Sequence, residues 1–167
     1  MLVHPGAASG SRRWPGERFA AVVRCLRATG HRVVLTGGPG EDALVRSVAE
    51  RSGLPASDVL AGGLPHAELS ALVAEAALML SGDTGLAHLA VAHGTRSVTL
   101  FGPVSPRLWG PPPSPDHLAL WRPGPPGDPH GRIPDARLLR LGTGEVAAAC
   151  LMQLRSVRTA VEVAQVQ

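Results

Sequence analysis

Short runs of β-branched and aliphatic residues alternate with segments of helical period from the first residues to Phe101, and few folds accept that alternation. Leu2-Val3-His4 reads as a strand, Pro15 to Thr29 as a helix, Arg32 to Thr36 as a strand and Glu41 to Ser52 as a helix. The pattern continues with a Val59-Leu60 strand, a Pro65 to Ala76 helix, a Leu78 to Ser81 strand, a Gly85 to Ala92 helix and a Ser97 to Phe101 strand. The reading is α/β: a Rossmann-like parallel sheet with helices on both faces. Phe19, Val22, Val23 and Leu26 fall on one face of the first helix, and Leu69, Leu72, Val73 and Ala76 on one face of a later one, so both sets are expected to be core. Pro15 suits a first helical turn, while Gly30 and Gly53 stand just past helix ends, where a left-handed residue is wanted.

The texture changes after Phe101, because 11 of the 16 prolines lie between Pro103 and Pro134, with Trp109 and Trp121 among them. That segment, 103–134, reads as irregular, extended chain. Helical spacing returns at Thr143 through Val146, Ala149, Cys150, Leu154, Val157 and Val161. Residues 1–143 are therefore expected to form one domain and residues 144–167 a C-terminal helix. With 167 residues, 44% of them hydrophobic, the chain can bury a sizeable core.

Composition removes several function classes. No apolar stretch is long enough to span a bilayer, and Met1-Leu2-Val3-His4-Pro5-Gly6 lacks the charged flank and apolar run of a signal peptide, so a cytoplasmic location is expected. Cys25 and Cys150 sit in apolar helical patterns without metal spacing and are expected to be small buried thiols. No metal and no cofactor are expected. All 16 basic residues are arginine and the net charge is +3, but the arginines are scattered and aromatics make only 3%. Nucleic acid, which wants basic patches interleaved with stacking rings, is a poor partner for such a chain.

Three loops carry residues fit for chemistry. Ser81-Gly82-Asp83-Thr84-Gly85-Leu86-Ala87-His88 follows a strand and opens a helix, where free backbone N–H groups and a partial positive charge favour a phosphate. Thr84 and Gly85 are candidates to hold a diphosphate, His88 one turn on to add a donor, and Asp83 to accept hydrogen bonds from sugar hydroxyls; otherwise Asp83 caps the helix and His88 packs. Leu2 to Ala8, followed by Ser11-Arg12-Arg13-Trp14-Pro15, is another strand, loop and helix start. Arg12 or Arg13 there would neutralise phosphate charge, or both are solvated. Gly38 to Ala43 matches the dinucleotide pattern G-x-G-x-x-A, but after the second strand rather than the first. Glu41 within it is a candidate for ribose hydroxyls, or a plain helix-start carboxylate.

Taken in order, His4-Pro5-Gly6, Arg13-Trp14-Pro15, Gly37-Gly38-Pro39-x-Glu41, Asp83-Thr84-Gly85-x-x-His88-x-Ala90 and Phe101-Gly102-Pro103-x-x-Pro106-x-x-Trp109-Gly110-Pro111 resemble the C-terminal domain of glycosyltransferase family 9, the lipopolysaccharide heptosyltransferases. The resemblance runs from Leu2 to about Val146. It implies one half of a GT-B fold, holding an ADP-heptose-like nucleotide-diphosphate sugar for transfer with inversion to a lipopolysaccharide-type acceptor. By motif, Asp83 would touch the heptose, Thr84, Gly85 and His88 the diphosphate side, Glu41 the ribose and Leu64 the adenine. Arg12 stands where the family often has lysine, which keeps the charge but not the shape. The chain departs from the family in having prolines and no cysteines between Pro111 and Arg140.

The resemblance also implies that the acceptor domain is absent from this chain, and with it the general base, so that no catalytic residue is expected here. The chain alone is expected to bind donor without transferring, and its terminal apolar stripe to seek an acceptor-domain partner or a second copy. A peripheral place at the inner membrane face goes with the family. Two other readings stand beside it: a stand-alone, non-catalytic nucleotide-sugar-binding module, and an NAD-binding oxidoreductase fragment motivated by Gly38 to Ala43 alone.

Overall fold

The computed structural model of the chain describes the backbone of residues 1–164 and the side chains of residues 1–155. The elements follow as β1 (Leu2–His4), α1 (Gly16–Ala28), β2 (Val34–Thr36), α2 (Asp42–Ser52), β3 (Val59–Leu60), α3 (His66–Ala74), β4 (Met79–Gly82), α4 (Gly85–His93) and β5 (Ser97–Leu100). Then come α5 (Pro106–Trp109), β6 (His117–Leu120), α6 (Ala136–Leu139) and α7 (Thr143–Ala164). Gly30 and Gly53 have φ of +85° and +65°, the left-handed conformation that stops α1 and α2 without steric penalty.

The strands form one sheet in the order β3-β2-β1-β4-β5-β6, and every pairing is parallel. Successive side chains of a strand point to opposite faces, and the two cores divide accordingly. Val3, Leu35, Leu80, Val98 and Leu100 meet α1, α2 and α7, while Leu2 and Met79 meet Val73 and Ala90 of α3 and α4. On the first face Phe19, Val22, Val23 and Leu26 are fully buried, each such side chain contributing roughly 1.5–3 kcal/mol. Trp14 anchors this layer: its ring meets Phe19 edge-on at 5.1 Å, and its indole N–H donates to the Leu141 carbonyl at 3.2 Å. Val146, Ala149, Cys150 and Leu154 are buried in the same core, so this part of the α7 stripe is covered by its own domain. The side chains of Val157 and Val161 lie outside the described residues.

Three features depart from the sequence-based expectation. The segment 103–134 is not irregular throughout, since His117–Leu120 pairs along Ser97–Leu100 as the edge strand β6. Four residues hemmed by prolines carry too little periodicity to announce a strand; the exposed ladder of β5 selects them. Leu69 is not core but half-buried and faces a cavity, because α3 packs chiefly on α4 and leaves part of its apolar face uncovered. Cys25 is exposed, one position off the buried stripe of α1. The terminal helix begins at Thr143, and its first turns pack into the domain core. Among the described residues no helix is long and apolar enough to cross a membrane.

Candidate functional site

The sheet order reverses between β1, which continues to β2, and β4, which continues to β5. Loops leaving the carboxyl ends of neighbouring strands diverge at such a point and leave a crevice. Here the crevice is a cavity of about 740 Å³. Along its rim the contributing groups run in the order of the strands: Gly38 and Glu41 after β2, His4 and Arg12 at and after β1, Asp83 to Gly85 after β4. His66 and Leu69 of α3 and Leu86 and His88 of α4 close the far wall.

At the β4 end Thr84, not Asp83, is the N-cap residue of α4, and it makes no side-chain cap bond. The first N–H groups of α4 therefore receive no side-chain cap from Thr84, and a helix N-terminus leaves such groups without intrahelical partners. The Thr84 hydroxyl, and that of Ser81 beneath it, are buried without a hydrogen-bond partner among the described residues. Around Gly85 nothing lies within 4 Å of where a Cβ would stand, so the backbone there faces open space. His88 is exposed, one turn along.

Asp83 is buried, and Arg12 Nη1 stands 3.6 Å from its Oδ2. Burial pushes the Asp83 carboxyl above its ordinary range, and the positive charge of Arg12 and the nearby His88 pull it part of the way back. Arg12 is itself held from behind: its Nε donates to the Pro129 carbonyl at 3.2 Å. That carbonyl also accepts the Ser9 hydroxyl at 2.5 Å. The proline-rich strap continues alongside, with Ser11 N–H donating to Gly131 at 2.9 Å and Asp135 N–H to Ser11 at 3.1 Å. A Cβ on Gly10 would come within 1.9 Å of the Arg132 carbonyl oxygen, so the two backbones touch. The strap is pinned at its end by Arg137, buried, which reaches Asp135 and the Pro125 carbonyl. That pairing holds the Asp135 carboxyl below its usual range.

At the β2 end Glu41 turns back over the Gly37-Gly38 loop and accepts the Gly38 N–H on Oε2 at 2.8 Å. It stands at the start of α2 with its side chain 11% exposed.

Of the residues singled out from sequence, Arg12, Glu41, Asp83, Thr84, Gly85 and His88 line the one cavity. Arg13 and Leu64 do not. Arg13 is exposed and its Nε donates to the Ala7 carbonyl at 2.9 Å, which shapes the β1–α1 loop. Leu64 is half-buried outside the cavity lining, where His66 and Leu69 stand instead. The residue that sequence reasoning missed is His4: nine-tenths buried, it lines the cavity and faces Glu41. Its signal was a polar ring at the last position of a buried strand. Among the described residues no cluster of His, Cys, Asp or Glu is grouped to hold a metal.

Residues 1–123 match the family model of glycosyltransferase family 9 (heptosyltransferase). Lipopolysaccharide heptosyltransferase 3 of Escherichia coli is 35% identical over 113 residues, 66% of this chain and 33% of that protein. The chain thus spans about a third of the length of that curated relative. The fold is similar to part of E. coli ADP-heptose lps heptosyltransferase II, with a TM-score of 0.77 at 22% identity over 94% of this chain and 46% of the other. An E. coli heptosyltransferase solved with ADP superposes with a TM-score of 0.71 at 23% identity, over 91% of this chain and 43% of the other.

Proposed function

The chain belongs to glycosyltransferase family 9, the heptosyltransferases, and from that premise we propose that it is the donor-binding part of a glycosyltransferase that takes a heptose-like sugar from an ADP-sugar. The observation that carries this is the order of groups around the cavity: a carboxylate with one oxygen unpartnered among the described residues, then an arginine beside a helix N-terminus without a side-chain cap, then a second, buried carboxylate. A nucleotide sugar presents the matching order: ribose diol, diphosphate, sugar hydroxyls. Glu41 takes the ribose, Arg12 with Thr84, Gly85 and the N–H groups of α4 takes the diphosphate, and Asp83 reads the sugar. An anionic diphosphate set directly against Asp83 would be repelled, so Arg12 between them lowers the cost of having both. His88, exposed at the rim, adds a donor on the diphosphate side.

The Gly38 to Ala43 match lies after β2, not in the turn after the central β1 where a dinucleotide fingerprint belongs, which disfavours the NAD reading. Sugar transfer with inversion needs a base to take the acceptor hydroxyl's proton as the donor's bond breaks. Both carboxylates of the cavity are assigned to the donor, Asp83 beside Arg12 and Glu41 with Oε2 on the Gly38 N–H. We place that base, and the lipopolysaccharide-type acceptor, on a facing domain outside these 167 residues, so the chain by itself binds donor without transferring.

Calorimetric titration with ADP-heptose, ADP, UDP-glucose and NAD tests the reading. ADP-heptose is expected to bind best, with Arg12→Ala weakening ADP and ADP-heptose alike and Asp83→Ala removing only the margin of ADP-heptose over ADP. Preference for NAD, or absence of nucleotide binding, would overturn it.

A further inference from the structure

His4 ends β1 with its imidazole inside the domain, 5% exposed, where a polar ring needs partners on both nitrogens. Nδ1 lies 3.3 Å from the Thr36 hydroxyl and 3.2 Å from the Thr36 carbonyl oxygen. Nε2 lies 3.5 Å from Oε2 of Glu41. Burial holds the imidazole below its ordinary pKa against the pull of Glu41 and the Thr36 carbonyl, so the ring is neutral and one nitrogen carries the proton. A proton on Nδ1 would aim the Nε2 lone pair at a carboxylate oxygen. A proton on Nε2 faces Glu41 Oε2 with a donor instead, 3.5 Å away, and leaves Nδ1 to accept the Thr36 hydroxyl, at the cost of a lone pair 3.2 Å from the Thr36 carbonyl oxygen; relief of the repulsion at the charged carboxylate is the larger effect.

The far side of Glu41 is equally constrained. Oε2 also accepts the Gly38 N–H at 2.8 Å, and the carboxylate lies flat on Gly6, where a Cβ would sit 2.0 Å from it. Oε1 accepts no hydrogen bond among the described residues, and Glu41 lines the cavity. A side chain with this many holds on one oxygen presents the other in a fixed place.

Building on the donor-site reading, we infer that His4 is a positioning residue: relayed by Thr36, it holds Glu41 so that a carboxylate oxygen faces the cavity as the acceptor for a vicinal diol such as that of a ribose. The role of His4 runs through Glu41. It acts by keeping the carboxylate from rotating away when the cavity is empty, so the diol meets a preorganised acceptor.

Titration of the full chain with ADP and with 2′,3′-dideoxy-ADP reads this directly. The unmodified chain is expected to prefer ADP by about tenfold. His4→Phe and Thr36→Val should each cut the preference to about twofold while leaving dideoxy-ADP affinity unchanged. His4→Gln, whose amide N–H can replace Nε2–H, should keep most of it. In a Glu41→Ala background, adding His4→Phe should change nothing further. A full preference in His4→Phe, or an equal loss for both nucleotides, would overturn the inference and leave His4 a packing residue. ADP binding with no preference over dideoxy-ADP overturns the inference but not the donor-site reading, whereas no ADP binding removes both. If His4→Phe fails to fold by thermal melt, Thr36→Val against His4→Gln decides.

Discussion

Arg12 Nη1 and Asp83 Oδ2 face each other at 3.6 Å across the point where the sheet order reverses, joining the loop after β1 to the end of β4. The pair sets the electrostatics of the cavity floor. Arg12 offers charge to an incoming phosphate, and what it gives to the ligand it partly withdraws from Asp83.

The raised carboxyl of Asp83 makes a prediction about stability and its dependence on pH. A carboxyl whose folded-state pKa lies above its unfolded value contributes stability at low pH that is lost as pH rises through the folded pKa. Asp83→Asn escapes that loss, so it should melt higher than the unmodified chain at pH 7, with the gap closing as pH falls toward about 4. The same variant should lose the preference for ADP-heptose over ADP. Thermal melts across pH check the first part; a lower melting temperature of Asp83→Asn at pH 7 would contradict it.

Gly10 tests the strap. Its missing side chain lets the Arg132 backbone lie against the β1–α1 loop, and that contact backs the Pro129 carbonyl that holds Arg12. Gly10→Ala should cost about 1–3 kcal/mol by forcing the two backbones apart. It should also weaken ADP binding, though the residue is not in the cavity lining. Unchanged ADP affinity in a destabilised Gly10→Ala would show that the strap supports the fold and not the site.

Gly85 should behave in the opposite way. With open space where a Cβ would go and a helical position, Gly85→Ala should leave stability unchanged or raise it by up to about 1 kcal/mol. The methyl group nevertheless stands over the N-terminus of α4, where a phosphate would approach. ADP affinity should fall by about tenfold or more, the scale of one lost charge-assisted hydrogen bond. Equal affinities would move the diphosphate elsewhere.

The two thiols should separate cleanly. Burial pushes the Cys150 thiol up to about 12, with Cys25 adding to the shift, while Cys25 is exposed on α1. A thiol reagent at pH 8 should label one cysteine in the folded protein and two after denaturation, since the thiolate is the reacting form. Mass mapping should place the first label on Cys25.

By itself the sequence determined the sheet through β5 and most of the helical faces, because those rest on local periodicity: Phe19, Val22, Val23 and Leu26 are spaced to be buried whatever else the chain does. It also marked Arg12, Glu41, Asp83, Thr84, Gly85 and His88, since strand-to-helix turns are where a parallel α/β sheet exposes backbone N–H groups and charged side chains. Tertiary structure decided what depends on residues distant in the chain. His117–Leu120 is a strand only because β5 offers it a ladder. Arg12 rather than Arg13 faces the cavity because Pro129, 117 positions away, holds its Nε. His4 gains a part through Thr36, 32 positions on, and through Glu41. Spacing records which residues share a face of one element; which loops meet at the sheet's reversal point is set by the packing of all of them together.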